Sequence, residues 1–317
     1  MRVSVILPTC NRAHLVGEAI ESVLAQTRPA DEILVVDDGS TDATPERLAA
    51  FGDRVVAIRR ENAGAAAARN AGLRAATGDW VTFLDDDDVW APERLAVLER
   101  DLEDAAPDVE AHVANIRYVG EGYVYDQMEM LGIDAPTGRA RQVEDIFAPA
   151  ARGFQLNGLA CTRRIALEIG GFEEHLRTHE DKLFTGLLGH RRPWLVTGDT
   201  VSEVRRVAGD ANALTTVSAA DAERRYRGML HVNDRFLALD LAPAHRRRTL
   251  GSRNFVLLRL AKALADEGDR AGARRTLVEA AGCHPSPLKG WVKSLAPLLA
   301  GRAGFRLIGV GQGAWNR

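Results

Sequence analysis

Four consecutive carboxylates, Asp85 to Asp88, follow the apolar run Trp80–Leu84. Anionic side chains at the end of a buried strand are costly unless a cation or hydrogen-bond donors compensate them. Asp85 and Asp87 are two residues apart and can point at one hard divalent ion, and all-oxygen ligation favours Mg²⁺ or Mn²⁺. The alternative is a solvated acidic turn before a helix that starts at Pro92. We expect a divalent-metal site here.

Two further polar loops follow apolar runs early in the chain. One begins at Pro8 after the run Val3–Leu7, and the other begins at Asp37 after Ile33–Val36. Asp, Gly, Ser and Thr are ordinary turn residues, so the second loop alone is a weak indication of a site. In open α/β sheets, however, ligands bind outside the carboxyl ends of the strands. We therefore expect both loops to share a sheet edge with the four carboxylates.

A third segment, residues 61–72, reads E-N-A-G-A-A-A-A-R-N-A-G. A glycine-rich helix start suits an anion, and Arg69, about one and a half turns into that helix, could contact a diphosphate. The alternative is a small-residue helix packed tightly on the sheet with Arg69 exposed. The segment contains neither G-x-G-x-x-G nor G-x-x-x-x-G-K-[ST], which excludes the usual dinucleotide-binding and P-loop sites.

The elements that must position these loops alternate between strand and helix. The predicted strands are Val3–Leu7, Ile33–Val36, Val55–Ile58 and Trp80–Leu84. The predicted helices are His14–Ala25, Thr44–Ala50, Ala65–Ala76 and Pro92–Leu102. This alternation predicts βαβ units and an α/β domain whose mostly parallel sheet is flanked by helices.

The pattern of predicted elements changes twice along the rest of the chain. Residues 120–157 give no regular pattern, after which Gly158–Cys161 is a predicted strand, Arg163–Ile169 a predicted helix, and a further helix begins near Asp181. Beyond about residue 217 only helices are predicted. Within this all-α extension, Leu258–Pro285 resembles a single tetratricopeptide-like helical pair, and one such unit is too few for a solenoid.

Length and composition narrow the class of protein. A chain of 317 residues suits one large domain with an appendage, and 46% hydrophobic with 27% charged residues is typical of a globular protein. No run approaches 18 apolar residues, and the N-terminus has no signal-peptide pattern. Three scattered cysteines exclude a disulfide framework or a zinc site, so we expect a reducing cytoplasm.

Charge is distributed unevenly along the chain. The net charge of −3 hides a C-terminal segment, residues 241–317, with 14 Lys and Arg against 4 Asp and Glu. Such asymmetry indicates an anionic partner, either a membrane surface or a nucleic acid. A last predicted helix from Ser286 to about Leu299 has the composition of a helix lying at a membrane interface. We therefore expect peripheral association with an anionic membrane rather than with nucleic acid.

The order V-S-V-I-L-P-T-C-N-R, V-V-D-D-G-S-T-D, N-A-G-A-A-A-A-R-N-A-G and F-L-D-D-D-D resembles the inverting glycosyltransferases of family 2, which have the GT-A fold. The later G-G-F-E-E at Gly170 and the pair Glu180-Asp181 resemble two further elements of that family. The resemblance covers roughly residues 1–200. It implies a GT-A domain over 1–215, with a donor half to about 105 and an acceptor half from about 106, followed by the basic helical region 216–317.

The resemblance also implies roles for individual residues. Those expected around the nucleobase and ribose are Pro8, Thr9, Asn11 and Asp38, with Asn62 and Arg69 on the nucleotide's other side. The family's D-x-D element falls on Asp85-Asp86-Asp87, with Asp87 as the direct metal ligand, and Asp181 matches the catalytic base. Cys10 stands where many relatives carry a larger residue beside the base, and Lys182-Leu183-Phe184 departs from the family's usual aromatic continuation.

Together these features predict a cytoplasmic, metal-dependent inverting glycosyltransferase, which the basic tail would dock on the inner face of the membrane. The donor would be a nucleoside-diphosphate sugar, with UDP favoured by the resemblance alone, and the acceptor a hydroxyl group. One alternative is a nucleotidyltransferase, although residues 8–12 lack the glycine of its phosphate loop. Another is a non-catalytic nucleotide-binding scaffold whose helical tail binds a partner. The donor sugar, acceptor and oligomeric state are left open.

Overall fold

The computed structural model describes residues 1–120, 123–191, 193–205, 221–283 and 296–297. It divides the chain into two compact units, residues 1–208 and 209–317. The domain boundary predicted at residues 215 and 216 falls within 206–220, outside the described residues.

The first unit is built on one sheet, which has ten strands in the described residues. They are β1 (Val3–Thr9), β2 (Glu32–Asp37), β3 (Val56–Arg59), β4 (Trp80–Phe83), β5 (Val89–Trp90), β6 (Ala111–Gly120), β7 (Tyr123–Asp126), β8 (Arg141–Val143), β9 (Leu159–Thr162) and β10 (Trp194–Arg205). The main order is β3-β2-β1-β4-β9-β6-β10-β5, with β7 on β6 and β8 on β10.

The sheet changes from parallel to mixed halfway across. Strands β3, β2, β1 and β4 are all parallel, as the βαβ pattern predicts. Strand β9 then lies antiparallel between β4 and β6, which restores the original direction in β6 and in its parallel neighbour β10. The carboxyl ends of β1, β2, β4 and β6 therefore lie at one edge. This architecture confirms the predicted α/β fold, in a mixed sheet where β3, β2, β1 and β4 are parallel to one another and β6 is parallel to β10.

Helices cover both faces of this sheet, and the central strands β1 and β4 are buried along their whole length. In chain order they are α1 (Val16–Leu24), α2 (Thr44–Ala49), α3 (Ala65–Ala75), α4 (Arg94–Glu103), α5 (Gln127–Leu131), α6 (Phe147–Ala150), α7 (Arg163–Glu168) and α8 (Glu180–Gly189), with 3₁₀ turns at Gly52–Arg54 and Leu156–Gly158. One core contains Ile20 of α1 and Leu98 of α4, and the other contains Leu73 of α3 and Phe184 of α8.

Helix α4 begins two residues later than the sequence predicts. The carbonyl of Pro92 accepts the N–H of Thr27 at 2.9 Å, so it is engaged outside the helix, which starts at Arg94.

The second unit is helical in its described residues, as predicted. It contains α9 (Ala222–Leu237), α10 (Pro243–Asp266) and α11 (Arg270–Cys283). Helices α10 and α11 pack through a small apolar core that includes Leu257, Ala261 and Leu277. The helix predicted from Ser286 to about Leu299 lies, apart from residues 296–297, outside the described part. None of the described helices is both long and apolar enough to cross a bilayer.

Candidate active site

The loops after β1 and β2 are fastened together at the carboxyl edge of the sheet. Thr9 and Asp37 are partners in the strand register, and Pro8 is buried one residue earlier in β1. Asn11 has a left-handed backbone (φ +55°), and its side-chain oxygen accepts the N–H of Thr41 at 2.8 Å. Asn11 therefore fixes the relative position of two loops that the sequence assigns to the nucleotide.

The buried carboxylate of Asp38 organises the start of α3. It accepts the N–H of Gly64 at 2.6 Å and that of Ala63 at 3.1 Å. The side chain of Asn62 donates to the carbonyl of Asp38 at 2.9 Å and lies 3.1 Å from the sulfur of Cys10. Asp38, Asn62 and Cys10 thus form one connected wall of the candidate site.

The four carboxylates form a tight turn after β4 in which Asp87 is exposed and Asp88 is buried. Thr9 donates its hydroxyl to Asp86 at 2.7 Å. Burial, together with the neighbouring carboxylates, raises the pKa of Asp86 to about 7 and that of Asp88 to about 8. Burial is the main cause of these raised pKa values, and the neighbouring negative charges, which a divalent cation would stabilise, add to it. Asp85 and Asp87 offer carboxylate oxygens, and the donor set fits Mg²⁺ or Mn²⁺.

Arg69 connects this turn to α8. Its guanidinium is buried and contacts Asp85 at 2.7 Å through Nη2 and Glu180 at 2.9 Å through Nη1. The ring of Phe172 lies 5.5 Å from its central carbon. Burial alone would lower the pKa of Arg69, but the charges of Asp85 and Glu180 raise it above its ordinary value. Arg69 is therefore a buried ion-pair residue, unlike the exposed arginine of the alternative interpretation.

Asp181 lies beside Glu180 in the first turn of α8 and is half-buried. One of its oxygens accepts the N–H of Lys182 at 2.7 Å. Burial and the adjacent charge of Asp181 raise the pKa of Glu180, and burial lowers the pKa of Lys182. Arg69 thus contacts the predicted metal ligand Asp85 and also Glu180, which is the chain neighbour of the predicted base Asp181.

Three buried residues of this region were missed by the sequence analysis. Asn70 exchanges hydrogen bonds with the backbone of Phe172, donating at 2.7 Å and accepting at 2.8 Å, and so holds the G-G-F-E-E segment. Asn157 and Arg94 lie beneath the acidic turn. The dipeptide Asn157-Gly158, which overlaps the start of the predicted strand Gly158–Cys161 and directly precedes the observed β9, is a turn signal that could have marked this position.

Known proteins are similar to parts of this chain. Residues 4–155 match the family "Glycosyl transferase family 2". An uncharacterized glycosyltransferase of Haemophilus influenzae is 34% identical over 186 residues, which are 56% of this chain and 58% of that protein. The succinoglycan biosynthesis protein ExoO of Rhizobium meliloti is 46% identical over 102 residues, 31% of this chain and 29% of that one. In both pairs the matched region is less than two thirds of the relative's length.

Solved structures share the fold. TarS of S. aureus in complex with UDP-GlcNAc superposes with a TM-score of 0.70 at 20% identity, covering 96% of this chain and 88% of that one. The mannosyltransferase PcManGT of Pyrobaculum calidifontis, in complex with GDP-Man and Mn²⁺, gives a TM-score of 0.55 at 22% identity over 98% and 83% of the two chains. The family match shows that residues 4–155 form a domain of glycosyltransferase family 2, and the solved structures agree in fold.

Proposed function

We propose that this chain is a metal-dependent inverting glycosyltransferase that moves a sugar from a nucleoside diphosphate to an acceptor hydroxyl of a glycan, a lipid-linked glycan or another molecule. The observation that carries the proposal is the pairing of Arg69 with both Asp85 and Glu180. This pairing gathers the acidic turn and the first turn of α8 into one site. A glycosyl transfer with a metal-bound leaving group and a general base requires both the acidic turn and the first turn of α8.

The proposed donor is a nucleoside-diphosphate sugar, with UDP favoured. The complexes of the two structural neighbours with UDP-GlcNAc and with GDP-Man support this class of donor. We assign the nucleobase and ribose to Pro8, Thr9, Asn11 and Asp38. Asn62, whose side chain donates to the carbonyl of Asp38, is assigned to the same group rather than to the nucleotide's other side. Arg69 is assigned to the diphosphate side, where its terminal nitrogens already bind Asp85 and Glu180.

Asp87 and Asp85 would hold Mg²⁺ or Mn²⁺, with Asp86 beside them. A divalent ion held there would neutralise charge that develops on a diphosphate leaving group. Asp181 accepts the proton of the acceptor hydroxyl. The acceptor oxygen forms its bond to the anomeric carbon from the face opposite the diphosphate, and the bond from that carbon to the diphosphate oxygen breaks. One such displacement inverts the configuration.

We further propose that the basic C-terminal region associates with anionic lipids at the inner face of the cell membrane. Supporting this, residues 241–317 hold 14 Lys and Arg against 4 Asp and Glu. Arg246, Arg247 and Arg248 are exposed in the first turns of α10.

Calorimetric titration tests the donor half of the proposal. UDP, GDP, CDP and dTDP are titrated into the wild-type protein with and without Mn²⁺, and then into Asp87→Ala. We expect UDP to bind most tightly and Mn²⁺ to strengthen that binding, because the ion links the carboxylates to the diphosphate. The Asp87→Ala variant should bind UDP without the increase in affinity that Mn²⁺ gives the wild type.

Asp108→Ala is the matched control, because Asp108 is exposed and lies in the loop after α4 rather than in the acidic turn. It should bind as the wild type does. Failure of all four nucleotides to bind the wild-type protein would contradict the proposal and favour a non-catalytic role.

A further inference from the structure

Asn157 lies directly beneath the acidic turn, in the 3₁₀ turn Leu156–Gly158, and is completely buried. Its side-chain oxygen accepts the backbone N–H of Asp85 at 3.1 Å. Its amide nitrogen donates to the carboxyl oxygen Oδ2 of Asp88 at 2.5 Å. One side chain therefore contacts the first and the last residue of the turn.

The turn closes on itself as well, because the N–H of Asp88 donates to the carbonyl of Asp85 at 3.2 Å. Asp86 and Asp87 lie between these two anchored ends. The direction in which Asp85 and Asp87 present their carboxylates is set by this turn, and Asn157 is the side chain that holds both of its ends.

Asn157 is itself fixed from two sides. The completely buried guanidinium of Arg94 donates from Nε to the carbonyl of Asn157 at 3.2 Å and from Nη2 to the hydroxyl of Thr82 at 3.2 Å. On the other side, a side chain at Gly158 would begin 2.6 Å from the carbonyl of Ala114 in β6, so that position admits only glycine. The 3₁₀ turn is therefore packed against α4, β4 and β6.

This arrangement resembles the supporting shell of a preorganised metal site, in which hydrogen-bonded partners orient the ligands. Four adjacent carboxylates repel one another, and without an internal donor and acceptor they would spread toward solvent. Asn157 supplies one donor and one acceptor where the turn is buried, so it opposes that spreading.

We propose that Asn157 is a positioning residue that holds the turn Asp85–Asp88 in the orientation needed to bind a divalent ion together with a nucleoside diphosphate. The inference rests on the proposed function, since it assigns the metal to this turn. It predicts that loss of the Asn157 side chain weakens metal binding without altering contacts to the nucleoside.

The test measures Mn²⁺ binding in the presence of UDP by electron paramagnetic resonance, and UDP binding without metal by calorimetry. Asn157→Ala should raise the Mn²⁺ dissociation constant about tenfold or more, the usual effect of removing a partner that orients metal ligands. Asn157→Leu keeps most of the side-chain volume but makes neither hydrogen bond, and it should show the same loss. UDP binding without metal should stay within about twofold of the wild type in both variants.

Asn254→Ala is the matched control, because Asn254 is also a buried asparagine, donating to the carbonyl of Ala280 at 2.6 Å in the helical unit. It should lower the thermal midpoint and leave Mn²⁺ affinity unchanged. The inference is overturned if Asn157→Leu binds Mn²⁺ as Asn254→Ala does. If the wild type shows no Mn²⁺ binding that Asp87→Ala removes, the proposed function fails instead.

Discussion

Asp181 is the residue whose substitution should separate binding from turnover. A general base contributes roughly 10²–10⁴-fold to such a reaction. Asp181→Asn keeps the shape of the side chain and its contact with the N–H of Lys182, but it removes the proton acceptor. We expect turnover to fall by about 10²–10⁴-fold, measured as UDP release with an acceptor that supports wild-type activity.

Binding of UDP and Mn²⁺ to Asp181→Asn should stay within about twofold of the wild type, because Asp181 is assigned to the acceptor and not to the donor. Asp108→Asn provides the control for an exposed carboxylate in the same unit. Turnover above about a tenth of the wild-type rate in Asp181→Asn would exclude Asp181 as the base.

At the same scale, several of the residues predicted from sequence sit in short motifs at strand ends, whereas Arg69 and Asp181 lie in helices and were assigned through the resemblance to the family. Thr9, Asp38 and the carboxylates are recognisable because turn chemistry and strand ends are local properties. The pairing of Arg69 with Glu180 joins residues 111 positions apart, and that of Asn157 with Asp85 joins residues 72 apart. Such contacts depend on how distant elements pack, so one sequence without homologues contains no local signal for them.

Among the elements, β6 and α4 are joined by a buried His–Asp pair. His112 is completely buried, and its Nε2 lies 2.9 Å from Asp101 of α4, while its Nδ1 has no hydrogen-bond partner among the residues that the structure describes. Burial lowers the pKa of His112. Burial would raise the pKa of Asp101, but the hydrogen bond with His112 and the ion pair with Arg100 lower it overall.

A histidine whose pKa is lower in the folded state gives stability that is lost as pH falls through the pKa of the unfolded chain, about 6.5. Although the raised pKa values of Asp86 and Asp88 act in the opposite direction, His112 by itself should lower the unfolding free energy by at most about 1.4 kcal/mol per pH unit as pH falls from 7.5 to 5.5. Asp101 acts in the same direction at lower pH. Urea unfolding followed by fluorescence at the two pH values measures the change.

The comparison with His112→Gln isolates the contribution of this histidine, because glutamine can still donate to Asp101 but does not titrate. As pH falls from 7.5 to 5.5, the unfolding free energy of His112→Gln should fall less, or rise more, than that of the wild type. His14→Gln, at an exposed position, should show the pH dependence of the wild type. An identical pH dependence in the wild type and His112→Gln would mean that His112 does not contribute.

The elements predicted most accurately from the sequence are those whose pattern of apolar residues is uninterrupted. Strands β1 to β4 are short apolar runs bounded by turn residues, and their predicted bounds differ from the observed ones by two residues or fewer. Strand β10 was missed because its register shifts twice, between Thr197 and Thr200 and between Thr200 and Ser202. The intervening Gly198-Asp199 interrupts the alternation by which a strand is recognised.

At the scale of the whole molecule, the uneven distribution of charge predicts binding to anionic membranes. Basic residues near an anionic bilayer each contribute about 1 kcal/mol to binding. We expect the wild-type protein to float with liposomes that contain phosphatidylglycerol and not with neutral phosphatidylcholine liposomes. Arg247→Glu combined with Arg248→Glu reverses two exposed charges of α10 and should reduce flotation by at least tenfold.

The matched control reverses two exposed charges of the first unit, Arg139→Glu with Arg191→Glu. Both double variants carry the same net charge, so a general electrostatic attraction would weaken equally in the two. The proposal requires that the membrane-binding charges lie on α10. Only the variant at Arg247 and Arg248 should therefore lose binding to the liposomes. Equal flotation of the two variants, or flotation that resists 0.5 M salt, would exclude an electrostatic contact through this helix, because salt at that concentration screens exposed charges beyond a few ångströms.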